Sequence, residues 1–273
     1  MPAHALTART KHGVLSFSNK DRAIGRLLYT HREFELEKID GAVRCAVAAG
    51  VLGETNRGWL LDVGANVGSV CITLVRRGVF ARAVAFEPEP GNYAHLVRSL
   101  ALNGIDAATI RPVNAALSST SGQATLELAF TNFGDHRIRV EPPTTSHPDC
   151  REEDRAVISV PVQRLDDAVA AQGLLREDVG LIWIDAQGHE AQVLEGATAL
   201  LGAGVPVVTE FWPYGLERSG AEGRRFVEIV RARFAAFYDL SEAVPRRQPV
   251  ADVASLYARY TGTSFTDLLL VAR

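Results

Sequence analysis

The stretch WLLDVGANVGSV, Trp59 to Val70, decides how the rest of the chain is read. An apolar run holding one acid leads into two glycines that frame an asparagine. Residues 59–63 read as a buried strand, and GSVCITLVRRG (68–78) reads as a helix closed by a glycine. The glycines therefore fall on a strand-to-helix turn. Glycine there permits a left-handed backbone and close approach of a ligand, and the helix start presents free N–H groups. A dinucleotide fingerprint requires G-x-G-x-x-G and a phosphate loop requires G-x-x-x-x-G-K-[ST]. The chain has D-x-G-x-N-x-G with no lysine following, so each of those readings loses a required element.

Working outward, the next apolar run, AVAFEP (83–88), ends in Glu87 and is stopped by Pro88. An acid about 20 residues beyond the turn, at the end of the neighbouring strand, is where doubly wound sheets hold a ribose diol. Two acceptor oxygens match two vicinal hydroxyls. A ribose acceptor without a pyrophosphate turn points to a nucleoside ligand lacking phosphates, and S-adenosylmethionine (SAM) fits that description.

Apolar runs and helical patterns continue to alternate. PGNYAHLVRSLALNG (90–104) is a helix, ATIRPVNAAL (108–117) a third strand, LIWIDA (181–186) a fourth, EAQVLEGATALLG (190–202) a helix and VPVVTEF (205–211) a fifth strand. A helix near 220–233, FAAFYDL (234–240) and TDLLLVAR (266–273) follow. Runs with little alternation suit strands covered on both faces, hence a parallel sheet flanked by helices. Residues 118–163 break the rhythm: two alternating strand patterns bracket a polar, Pro- and Thr-rich stretch. They read as an insertion in a domain spanning 56–273, carrying a hairpin and a mobile active-site loop. Residues 1–55 read as a mainly helical N-terminal extension packed on that domain.

Bulk composition narrows the partners. The chain has 273 residues, 47% hydrophobic and 22% charged, with a formal net charge of −3. These values are those of an ordinary soluble globular protein, and they give no electrostatic reason to expect nucleic acid or an anionic membrane as partner. No stretch reaches the roughly 20 apolar residues of a membrane span, and the N-terminus lacks an apolar signal core, so a cytoplasmic location is expected. Three scattered cysteines indicate neither a disulfide framework nor a zinc site.

At this point the chain resembles the FkbM family of SAM-dependent methyltransferases. The resemblance rests on LLDVGANVGSV (60–70), VAFEPEPGNYAHL (84–96), NAALS (114–118), FGDHRI (133–138) and WIDAQGHEAQVLEGA (183–197). It implies an α/β, Rossmann-like class I methyltransferase fold, a seven-stranded, mostly parallel sheet whose last strand is antiparallel. It also implies that Gly64, Asn66 and Gly68 line the methionine end of SAM, with Asp62 supporting the turn. Glu87 would take the ribose hydroxyls and Asn114 would lie by the adenine. Members of the family act mostly on hydroxyls of sugars or natural products.

Methyl transfer from a sulfonium is an in-line displacement, and an alcohol nucleophile benefits from a nearby base. Ligands in open α/β sheets sit at the carboxyl ends of strands, which selects IDAQGHE, TEFWP and the inserted GDHRI. Asp185 closes an apolar strand and is expected as a base or as a contact to the SAM amino group. His189 and Glu190 open the next helix as further catalytic candidates, although an acid in a first turn also complements the helix dipole. His136 is the preferred general base, since imidazole titrates near neutral pH, with Asp135 orienting it. Arg137, Glu210 and Trp212 are expected on the substrate side.

The reading is therefore O-methylation of a small hydroxylated molecule, with SAM as donor. N-methylation of a small amine by the same fold and a non-catalytic nucleoside-binding protein stay open. A divalent metal is not favoured, for want of a ligand motif. A homo-oligomer is compatible with the sequence, which specifies neither oligomeric state nor acceptor.

Overall fold

The computed structural model describes residues 3–53, 56–140, 147, 150–220 and 223–272. The chain opens with an antiparallel hairpin of β1 (Ala5–Arg9) and β2 (Val14–Ser18), followed by α1 (Ile24–Thr30) and α2 (Leu36–Ala48). The two helices lie where helical patterning places them, and the hairpin ahead of them is a feature that patterning misses. The glycine turn joins β3 (Asn56–Val63) to α3 (Ser69–Arg76). Then come β4 (Phe80–Phe86), α4 (Pro90–Leu102) and β5 (Ile110–Val113). Glu89 caps α4, its carboxylate accepting from the Gly91 and Asn92 N–H groups ahead of the first full turn.

The inserted segment is larger than a hairpin. β6 (Ala116–Ser118), β7 (Gly122–Leu128), β8 (Arg137–Ile138) and β9 (Ala156–Arg164) form a separate four-stranded sheet in the order β6-β9-β7-β8. Residues 141–146 and 148–149 of the polar stretch, read as part of a mobile loop, lie outside the described residues. The chain returns through α5 (Leu165–Ala171), β10 (Val179–Ile184), α6 (Glu190–Gly196), α7 (Thr198–Gly202) and β11 (Val207–Phe211). It closes with α8 (Pro213–Arg218), α9 (Gly223–Arg233), β12 (Phe234–Asp239), β13 (Gln248–Pro249), α10 (Leu256–Arg259) and β14 (Thr266–Ala272).

The main sheet runs β13-β12-β14-β11-β10-β3-β4-β5. β3, β4, β5, β10 and β11 are mutually parallel, and β14 is antiparallel to both its neighbours. This is the expected seven-stranded arrangement, with the two-residue β13 as an added edge strand. Its strands alternate between two apolar cores. Leu61, Val63, Ile182, Ile184 and Phe211 pack under α5, α6 and α9, while Leu60, Ala83, Trp183 and Leu269 face the opposite side. That second side is covered by α3 and α4 and, from the N-terminal segment, by Leu15, Phe17, Leu28 and Ile39. Burial on both faces explains why the strands read as continuous apolar runs. No helix among the described residues is long and apolar enough to cross a membrane.

Candidate active site

Every carboxyl end of β3, β4, β10 and β11 opens on one cleft of about 300 Å³. Gly64 forms its floor. It sits at φ +84°, and a Cβ there would lie 1.9 Å from the Asp185 carbonyl oxygen. The Gly64 and Ala65 N–H groups both donate to the Phe86 carbonyl, at 3.0 and 2.9 Å. Gly68 caps α3 at φ +94°. Asp62 is buried, and its Oδ2 accepts the Cys71 N–H at 3.0 Å, so the acid inside the strand ties down the first turn of α3. Burial pushes the Asp62 carboxyl up to about 7, against that hydrogen bond.

Glu87 joins the two turns. Oε2 accepts the Asn66 N–H and Oε1 the Glu89 N–H, each at 2.9 Å. Burial pushes its carboxyl up to about 8, opposed by the same two donors. Each oxygen keeps a second lone pair. Asn66, at φ +50°, donates through Nδ2 to the Phe133 carbonyl at 3.1 Å and leaves its buried Oδ1 without a partner among the described residues. Asn114 is placed differently from the expected adenine contact. Its amide donates to the Glu87 and Pro88 carbonyls at 2.8 and 3.0 Å, and it holds the β4–α4 loop without lining the cleft.

The inserted residues reach the cleft, with their polar groups engaged. His136 Nδ1 accepts the Ala129 N–H at 3.0 Å, which puts the proton of the neutral ring on Nε2. Burial lowers its pKa from the ordinary imidazole value. The ring is thereby a donor, and it lacks the free lone pair that the expected base needs. Asp135 does not orient it: Oδ1 accepts Arg137 Nε and Oδ2 accepts Arg155 Nη2, both at 2.6 Å. Arg137 is itself buried, donates to Glu152 at 2.6 Å and stacks 4.4 Å from the Trp212 ring. Glu152 also accepts from Tyr214 Oη at 2.8 Å and pairs with Arg218 at 3.1 Å, so the insertion is bonded to α8 through charge. Trp212 lines the cleft, and its buried Nε1–H has no partner among the described residues.

His189 and Glu190 brace the loop after β10. His189 lies between the Ser118 and Ser219 hydroxyls, at 2.9 and 3.0 Å, which occupies both ring nitrogens. Burial pulls it down to about 4. Glu190 is fully buried, and its Oε1 accepts the Ala186 and Gly188 N–H groups at 2.9 and 3.1 Å. Burial pushes its carboxyl up to about 7.

Asp185 and Glu210 do face the cleft, in company that the sequence reading missed. Lys38, on α2, extends into a ring of carboxylates, with Nζ 3.0 Å from Asp267, 3.3 Å from Glu35 and 3.6 Å from Asp185. Burial alone would lower the Lys38 pKa, but Asp267, Asp185 and Glu35 outweigh it and hold the group well above its usual value as an ammonium. Glu210 is pushed well above the carboxylate range by burial and then by Asp185 and Glu190. Gln187 donates to Asp185 Oδ1 at 2.6 Å. Asp267 was legible in principle, as an acid inside the apolar run TDLLLVA, the signal that marks Asp185 and Glu210. Glu35 and Lys38 carry no such mark, being charged residues at the start of an amphipathic helix. Among the described residues no group of three or more His, Cys, Asp or Glu is placed to hold a metal ion.

Residues 62–231 match the family described as Methyltransferase FkbM domain. The chain is 30% identical over 162 residues to methyltransferase sdnD of Sordaria araneosa, covering 50% of this chain and 60% of that protein. It is 28% identical over 144 residues to the hexuronic acid methyltransferase AglP of Haloferax volcanii, covering 52% and 51%. The chain thus spans between half and two thirds of these curated relatives. The crystal structure of methyltransferase FkbM from Methylobacillus flagellatus aligns with a TM-score of 0.47 at 14% identity, over 81% of this chain and 45% of that one.

Proposed function

Because the chain belongs to the FkbM methyltransferase family, with the match running through the whole glycine turn and the strand ends around it, we propose that it transfers a methyl group from SAM to a hydroxyl of a small molecule. The observation that carries this reading is the pairing of the Gly64 floor with Glu87 in one cleft. The residues present suit SAM. Glu87 has lone pairs to spare for two ribose hydroxyls, Gly64 puts no side chain into the cleft, and the orphaned Asn66 Oδ1 supplies an acceptor. Asp185, which lines the cleft beside Gly64, offers a carboxylate suited to the amino group of the methionine moiety. When bound, SAM supplies an electrophilic methyl on a sulfonium.

This chain's own part is to hold donor and acceptor in line and keep water out. The Gly64–Asp185 contact fixes the floor, while Phe34, Phe133 and Trp212 supply apolar walls. The name of one relative, a hexuronic acid methyltransferase, supports a carbohydrate-class acceptor. Calorimetry with SAM and with S-adenosylhomocysteine tests the reading. We expect both to bind, and Glu87→Ala to weaken both; folded protein that binds neither refutes it.

A further inference from the structure

The turn that would hold the donor lies within the family-matched residues, yet part of the cleft wall does not. Ala23, Ile24, Phe34 and Glu35 come from the N-terminal segment, and Thr263 and Phe265 from the loop before β14. Within this wall one group is chemically distinct. Glu35 sits at the start of α2 with φ +52°, a left-handed conformation that costs a non-glycine residue energy and that places its side chain at the cleft.

Position ties Glu35 to the donor end. A Cβ on Gly64 would strike the Asp185 backbone; the Asp185 carboxylate is 3.6 Å from Lys38 Nζ, and Lys38 Nζ is 3.3 Å from Glu35. A single lysine therefore separates Glu35 from the residue against the donor floor. Asp62, also in the cleft lining, is buried and accepts the Cys71 N–H, and Asp185 accepts the Gln187 amide at 2.6 Å and faces the same Lys38. The remaining cleft groups are engaged as well. His136 uses its lone pair on Ala129, His189 is held by two serines, and Asp135 is spanned by two arginines. Glu87 accepts two backbone N–H groups and its remaining lone pairs are assigned above to the ribose, and Glu210 is 5% exposed with its carboxyl held toward the neutral form. The buried, unpartnered Nε1–H of Trp212 in the same cleft is a donor awaiting an oxygen, as a hydroxylated acceptor would supply.

We propose that Glu35 is the proton-accepting residue for the methyl acceptor, contributed from outside the family-matched domain, with Lys38 as the positioning residue that holds it. This rests on the methyltransferase reading above. As the acceptor oxygen bonds to the methyl carbon, the carbon–sulfur bond breaks and its electron pair returns to sulfur. The hydroxyl proton passes to the Glu35 carboxylate and from there to water, since 32% of that side chain remains exposed. The sulfonium charge is thereby lost and the carboxylate neutralised, so the step balances. Burial, moderated by Lys38 and reinforced by Asp185 and Asp267, brings the Glu35 carboxyl up to about 7, near the pH at which a base is most effective.

The test needs no knowledge of the acceptor. Sinefungin carries an ammonium where SAM carries its sulfonium methyl, whereas S-adenosylhomocysteine presents a neutral sulfur there. If Glu35 faces the transferred methyl, then at pH 8.5, where its carboxyl is ionised, wild-type protein prefers sinefungin by about tenfold for a partly desolvated charge pair. In Glu35→Gln this preference falls most of the way to parity while the affinity for S-adenosylhomocysteine is unchanged. A wild-type preference at or below parity overturns the proposal without any variant, as does a preference that survives Glu35→Gln. Failure of wild-type protein to bind either compound overturns the methyltransferase reading instead.

Discussion

Gly64 answers to two constraints at once, a left-handed φ and a backbone oxygen where a side chain would begin. Either alone disfavours substitution, and together they leave no accommodating movement, because the obstacle is the Asp185 main chain. Gly64→Ala should destabilise the fold by more than about 2 kcal/mol, read from the urea midpoint. His189 sets a second expectation at this scale. Its folded pKa of about 4 lies below the ordinary value of 6.5, so the unfolded chain binds the extra proton first. The stability it contributes is present above about pH 6.5 and is lost as pH falls toward 4, on the order of 3 kcal/mol. Urea denaturation from pH 8 to pH 4.5 should show this loss, and His189→Gln should flatten it. His136 shows why residue type alone does not assign a base. The GDHRI motif is visible in sequence, but the Ala129 N–H that occupies the imidazole nitrogen belongs to a neighbouring stretch whose position only the fold determines.

At the scale of elements, Asp62 shows how one side chain couples a strand to the helix that follows it. Its carboxylate takes the Cys71 N–H in the first turn of α3, so Asp62→Ala should lower the thermal midpoint with a loss of about 1–2 kcal/mol, the scale of an N-terminal cap. The sequence pattern located the strands of the main sheet because burial on both faces writes an unbroken apolar run. It failed where sheet membership is a tertiary matter. The run ATIRPVNAAL is one strand by pattern, yet β5 ends at Val113 in the main sheet and β6 begins at Ala116 in the small one. No glycine or proline separates them, and the change of partner is made by long-range pairing with β9. The N-terminal hairpin escaped because it is short: its strands span five residues each, and the alternation Leu15-Ser16-Phe17-Ser18 is too brief to stand out beside the helical patterns that follow.

On the scale of the molecule, the small sheet is fastened by charge. Arg137, Arg155 and Arg218 interlock with Asp135, Glu127 and Glu152, and all but Asp135 are buried. Removing one partner strands the others in a poor solvent for ions. Arg137→Met should therefore cost about 3–5 kcal/mol by equilibrium unfolding, far more than an exposed pair would. The N-terminal segment is fastened by apolar contact instead, through Leu15, Phe17, Leu28 and Ile39 over one face of the main sheet. A chain starting at residue 56 should accordingly lose its cooperative thermal transition and bind a hydrophobic dye.

The cleft is thus enclosed by three stretches far apart along the chain, near residues 23–35, 132–138 and 263–265, set around a floor that the Gly64 contact makes rigid. None of the three continues a parallel strand, and each is anchored by contacts of its own. Floor and walls are interchangeable parts of unequal freedom: a wall can be lengthened, shortened or recoloured with charge while the floor stays fixed. On the function proposed above, a protein assembled this way can acquire a new acceptor by altering one wall while the floor under the donor stays as it is.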